Sequence, residues 1–174
     1  MTDWREIVRR YNQVVWKTAY RILGNYDDAS DCLQDAFLSA LTFSRKANIR
    51  NWNALLVRLV TARAIDRLRQ RIRQRSLFSG QAELRDISAG NPSPSQEAQA
   101  TKLFDRLRQA LAELPTQQAQ VFCLRCLDDL TYEEIATELA LEPSHVGVLL
   151  HRARAQLRLL LSPAGDAGRD GVQP

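Results

Sequence analysis

Cysteine and histidine are scarce in this chain: three and two in 174 residues. An odd cysteine count without secretory context argues for reduced thiols rather than a disulfide framework. Long apolar runs are missing too, and nothing approaches the roughly 20 residues needed to span a bilayer. The opening Met1-Thr2-Asp3-Trp4-Arg5-Glu6 lacks the apolar core of a signal peptide, so no membrane insertion is expected and the expected setting is the cytosol. No glycine-rich phosphate loop and no nucleophilic serine context occur, and both histidines fall near the C-terminus on one helix. Without a catalytic constellation the chain reads as a binder rather than an enzyme, with no cofactor expected.

Two groups invite metal or redox chemistry. Cys123-Leu124-Arg125-Cys126 spells C-x-x-C, but no second pair accompanies it, and neither His145 nor His151 has zinc-finger spacing from it. Its surroundings, Val121 to Leu127, are apolar and helical, so small helix-packing residues are expected there. Asp31 and Asp35 stand at i, i+4 beside Gln34. Such acids more often form a solvated face or a protein contact than a cation site, and no metal is expected.

Hydrophobic residues at 45% and charged residues at 25% are ordinary for a core-forming protein, and the length suits one mid-sized domain or two small ones. The net charge of +4 understates a local field: Arg63 to Arg75 holds six arginines against one acid, Asp66. That cluster suits a polyanion.

All the periodicity is helical. Trp4, Ile7, Val8, Tyr11, Val14, Val15, Ala19, Ile22 and Leu23 mark one face of a first helix closed by Gly24-Asn25, and Asp27 or Asp28 can cap the next. Ala29, Cys32, Leu33, Ala36, Phe37, Ala40 and Leu41 mark the second. After a polar, basic loop, a third helix begins near Trp52 and runs into the arginine tract. Arg67, Arg69, Arg71, Arg73 and Arg75 alternate like a strand, but the flanking apolar spacing favours helix. Residues 76–96 read as a flexible linker and 162–174, punctuated by Gly165, Gly168 and Gly171, as a disordered tail. The expectation is an all-α chain of two small helical domains, 1–75 and 97–161, on a tether.

The second block ends in a helix-turn-helix pattern. Thr131 and Glu134 form a capping box before the apolar Ile135, Ala136 and Leu139, and Pro143 opens a further helix carrying His145, His151, Arg152 and Arg154. Upstream, Tyr20-Arg21-Ile22-Leu23-Gly24-Asn25 and Ala29-Ser30-Asp31-Cys32-Leu33-Gln34-Asp35-Ala36-Phe37 resemble region 2 of bacterial sigma factors, most closely the extracytoplasmic-function (ECF, group IV) class of the sigma-70 family. Leu55 through Arg69, with Ala64-Ile65-Asp66-Arg67, is similar to the following helix of that region. Leu111-Ala112-Glu113-Leu114-Pro115 to Arg158 resembles region 4.

The resemblance implies a factor that binds core RNA polymerase, through its β′ clamp helices and β flap, directs it to −10/−35 promoter DNA and helps open the duplex. Asp31, Leu33, Gln34, Asp35 and Phe37 would meet polymerase, although Leu33 and Phe37 serve equally well as core residues. Arg45, Lys46, Asn48, Arg50 and Asn51 in the loop, Trp52, and Arg67, Arg69, Arg71 and Arg73 would handle the −10 strand, the arginines on phosphates; Trp52 is either a base platform or a core wedge. Ser144, His145, Val148, His151 and Arg152 would face the −35 major groove, with Arg154 and Arg158 on phosphates. An anti-sigma factor is a further partner of the family. Three positions depart from its pattern: Ala62 replaces a common asparagine, Ala140 the tight-turn glycine, and Ser144 to Leu149 the usual Gly-Thr-Val-basic-Ser-Arg run. Gly147 costs its helix roughly 1 kcal/mol relative to alanine. Base preference at −35 is therefore expected to be unusual or weak. Rival readings are a stand-alone helix-turn-helix regulator, a thiol or metal sensor at Cys123 and Cys126, and a sigma-like adaptor without promoter reading.

Overall fold

A computed structural model describes residues 2–78 and 96–163. Most of the expected linker and tail lies outside the described residues. Among those described, the regular structure is seven helices: α1 (Trp4–Leu23), α2 (Tyr26–Ser44), α3 (Trp52–Phe78), α4 (Gln96–Glu113), α5 (Thr116–Cys126), α6 (Tyr132–Leu139) and α7 (Pro143–Leu161).

Local chemistry accounts for the ends. The Asp3 carboxylate accepts from the Arg5 and Glu6 amides and starts α1. Gly24 ends it in the left-handed region at φ +63°, its amide donating to the Tyr20 carbonyl. Asn25 caps α2, accepting from the Asp28 amide at 2.9 Å, so Asp27 and Asp28 occupy the first turn rather than the cap. Asn51 starts α3, its side-chain oxygen accepting from the Ala54 amide at 3.0 Å. The alternating arginines are helical, and α3 continues to Phe78, past the expected boundary at 75.

Helices α1 to α3 form one bundle. Val15, Ala19, Ile22 and Leu23 pack with Ala29, Cys32, Ala36 and Ala40 and with Leu56, Val60, Ala64, Ile65 and Leu68. The small residues of α2 let the helices approach closely. Val8 and Val14, expected inside, are 41% and 42% exposed, because the buried stripe of α1 runs through Thr18 instead. Helices α5 to α7 enclose a second core of Val121, Leu124, Leu130, Ile135, Ala136, Val146, Leu149 and Leu150.

The two halves pack against each other. Ala54 and Val57 of α3 belong to the second core, while Ala110, Leu111, Leu114, Ala119, Cys123, Ala153 and Leu157 join the first. Polar contacts reinforce the seam. Arg69 reaches the α4–α5 turn with three hydrogen bonds: Nε to the Ala112 carbonyl (3.3 Å), Nη2 to the Leu114 carbonyl (2.7 Å) and Nη1 to the Thr116 hydroxyl (2.8 Å). Arg108 of α4 donates to the carbonyl of Ile22 at the end of α1, and Arg71 donates to that of Leu23. Cationic donors thus satisfy carbonyls that have no partner within the helix.

Candidate nucleic-acid interface

The acid–Gln–acid motif sits on an open face of α2. Asp31, Gln34 and Asp35 are exposed, whereas Leu33 and Phe37 are half-buried and pack against the first core. One turn on, Leu38 is 63% exposed, an apolar group beside those acids that the sequence pattern did not single out. Asp28, one turn before Asp31, is drawn inward: it accepts from Arg67 Nε at 3.0 Å and Arg71 Nη1 at 3.3 Å. Burial and the neighbouring Arg75 push the Arg71 guanidinium down from its ordinary value, and Asp28 opposes that shift. Hydrogen bonding to Asp28 raises Arg67, which also lies 3.8 Å from Asp31.

The basic tract therefore divides. Arg73 is exposed, Arg67 and Arg71 lean on acids of α2, and Arg69 is committed to the second half. The loop before α3 keeps Arg45, Lys46, Asn48 and Arg50 exposed, and several of these line an open hollow of about 380 Å³ with Ser44, Ile49 and Trp52. Trp52 is half-buried, its ring edge-on to Trp4 at 5.3 Å. Asn51 donates to Glu134 of α6 at 3.0 Å. Arg58, which sequence reasoning passed over, donates from Nε to Glu138 at 3.0 Å and lies over the Phe43 ring. Its signal was present: a lone cation within Leu55-Leu56-Val57-Arg58-Leu59-Val60. Thr18, whose hydroxyl donates to Asp128, was equally silent in the sequence.

In the helix-turn-helix, the capping box forms as expected. Thr131 accepts from the Glu134 amide at 3.1 Å, and Glu134 accepts from the Thr131 amide at 2.8 Å. Ala140 takes the left-handed turn at φ +53° without being glycine, and Pro143 occupies the first turn of α7. Val146, Leu149, Leu150, Ala153 and Leu157 face inward. Ser144, His145, Val148, His151, Arg152, Arg154 and Arg158, the residues expected to face DNA, are all exposed. A left-handed turn such as that at Ala140 is legible in a sequence only when glycine marks it.

Cys123 is fully buried, and burial pushes its thiol well up; Cys32 is pushed up to about 11 by burial and by Asp35. Cys126 is exposed and lies 3.7 Å from Arg154. Among the described residues no three metal-ligating groups gather, and no helix is long and apolar enough to cross a membrane.

Comparison with known proteins agrees with this layout. The sigma-70 region 2 family matches residues 7–74, and the sigma-70 region 4 family matches residues 104–157. ECF RNA polymerase sigma factor SigE of Mycolicibacterium smegmatis is 31% identical over 158 residues, covering 91% of this chain and 61% of that protein's length. RNA polymerase sigma factor YlaC of Bacillus subtilis is 30% identical over 169 residues, covering 94% of this chain and 95% of that protein. Among solved structures, the sigma factor RpoE of Bartonella quintana, crystallised with the anti-sigma factor NepR, superimposes with a TM-score of 0.57 over 94% of this chain and 99% of that one. At 18% identity that likeness is one of fold.

Proposed function

Because the chain belongs to the sigma-70 family of RNA polymerase sigma factors, in its ECF class, we propose that it binds core RNA polymerase and directs it to −10/−35 promoters, where it helps open the DNA. The observation that carries this reading is the pairing, on one chain, of an exposed acid–Gln–acid face on α2 with an exposed helix-turn-helix stripe on α7. Asp31, Gln34 and Asp35 offer carboxylates and an amide to a basic helical partner, with Leu38 as an added apolar anchor. The α7 stripe offers Ser144, His145, His151 and Arg152 to base edges, and Arg154 and Arg158 to phosphates. Arg45, Lys46, Asn48, Arg50 and Asn51, with the arginines of α3, offer donors to a melted strand. Trp52, already packed on Trp4, supports the wall of that loop rather than a free stacking platform.

Residues 1–75 and 97–161 act as two DNA-reading units aligned by one docking event, and the segment between them sets their effective concentration. The chain itself catalyses no covalent step. It acts in the bacterial cytoplasm, where polymerase and chromosome are, and an anti-sigma factor would compete for the same polymerase-facing surface.

Run-off transcription with purified bacterial core polymerase on fragmented host DNA tests this reading. Discrete transcripts that require the protein, and that vanish with Asp35→Lys, are the expected result. Failure to bind core would sink the sigma reading and leave a free-standing DNA-binding regulator.

A further inference from the structure

We infer that Val148 reads a thymine by its 5-methyl group in the −35 major groove, within about two base pairs of the base that Arg152 reads. The inference rests on the sigma reading and on the assignment of the exposed face of α7 to duplex DNA.

Val148 joins neither core. Its neighbours in the chain, Val146, Leu149 and Leu150, are buried, while Val148 itself is 43% exposed. One turn away on the helix surface stand Ser144, His145, His151 and Arg152, all polar or charged and all exposed. A lone exposed apolar side chain ordinarily has no role. Here its surroundings give it one. The four residues around it offer donors and acceptors to base edges, whereas the 5-methyl of thymine is the one apolar group that the major groove presents. Water offers an isopropyl group nothing; that methyl does. Leu159 is more exposed, at 73%, but it stands beside Arg158, about 16 Å further along the helix and past the base-facing turns.

The backbone and the side chain both suit this contact. A valine in a helix keeps essentially one rotamer, so its methyls are fixed before DNA arrives and little freedom is lost on binding. Gly147, directly before it, adds no side chain on that flank, where a Cβ would already meet the Tyr132 ring at 3.5 Å. The helix can therefore approach base edges more closely there than a longer residue would permit. Spacing sets the register. At about 1.5 Å per residue, Val148 lies about 6 Å along the axis from both Ser144 and Arg152. For a helix lying along the groove, with base pairs about 3.4 Å apart, that is about two steps to either side.

The test uses holoenzyme, core polymerase carrying the full chain, on a promoter fragment recovered by run-off transcription. Each −35 thymine is replaced singly by uracil, which removes the 5-methyl and leaves every hydrogen-bonding group in place. Binding is measured by competition with the unmodified fragment, for the wild type and for Val148→Ser. Because Val148 is exposed, serine there disturbs no packing. One uracil should weaken wild-type binding about three- to fivefold, the factor that matches loss of one methyl-sized apolar contact. The same uracil should leave Val148→Ser binding unchanged. Arg152→Ala marks the reference position by the base whose choice it relaxes, and the sensitive thymine should fall within about two base pairs of it. Wild-type binding indifferent to uracil at every position, an equal uracil effect in Val148→Ser, or a sensitive thymine further away overturns this inference and leaves the sigma reading standing. If no unmodified fragment yields a run-off transcript, the sigma reading itself is overturned, and this inference with it.

Discussion

Ala140 closes α6 at φ +53°, a conformation in which a Cβ meets the following carbonyl. Ala140→Gly relieves that strain and should raise stability by about 1 kcal/mol, read as a rise in Tm. Gly147 shows the converse: it lies within α7, and a Cβ there would meet only the Tyr132 ring at an ordinary 3.5 Å. Gly147→Ala should therefore also stabilise, by up to about 1 kcal/mol. Asp128 is the third informative residue. Burial pushes its carboxyl up to about 6, against smaller opposing effects of the Thr18 hydroxyl and Arg21. The native chain thus holds a proton at Asp128 that the unfolded chain has released, so stability falls as pH rises from about 4 to 6 and the loss persists above. Asp128→Asn keeps a partner for Thr18 and removes the charge. Its Tm should exceed the wild type's at pH 7.5 by the equivalent of about 1–2 kcal/mol, a shift already discounted for partial exposure, and the gain should shrink at pH 4.5. Equal gains at the two pH values would assign the effect elsewhere.

Among the elements, α7 is where the proposed base reading and phosphate affinity can be told apart. Arg152→Ala should cost about 1–3 kcal/mol on the preferred −35 duplex and relax base choice there. Arg158→Ala should weaken holoenzyme binding evenly across sequences and lower the salt slope by about 1. A footprinting series over salt distinguishes the two. This stripe was legible in the sequence, because exposure on a helix follows from the 3.6-residue period once Val146, Leu149, Leu150 and Ala153 are placed inward. The cap of α6 was legible for the same local reason, its two partners being three residues apart. What stayed hidden depends on residues far apart in the chain. Val8 and Val14 look like core until Thr18 finds Asp128, 110 residues on, and turns the α1 stripe. Arg69 looks like a phosphate ligand until the α4–α5 turn supplies three acceptors. No local pattern encodes such meetings.

For the molecule as a whole, the shared cores bear on cooperativity. Val57 is fully buried on α3 yet belongs to the core of the helix-turn-helix half. Calorimetry of the wild type should show a single transition with calorimetric and van't Hoff enthalpies in agreement. Val57→Asp places an unpaired carboxylate in that contact, costing about 3 kcal/mol or more, and should split the melt into two. A single transition in the variant would show that the halves are coupled mainly through the Arg69 and Arg108 contacts.

The end of α1 has a consequence for the order in which the protein is made. Its final carbonyl oxygens are met by Arg71 and Arg108, the latter stacked so closely against Gly24 that any side chain there would collide with it. During synthesis, at roughly 5–20 residues per second, the interval between residues 24 and 108 is on the order of ten seconds. Arg71 can meet the Leu23 carbonyl once α3 is made, whereas the Ile22 carbonyl waits for Arg108, so one acceptor at that helix end faces solvent until α4 emerges. A nascent chain therefore passes through a form with an open helix end that the finished one no longer displays, and fast translation of α4 would shorten its lifetime.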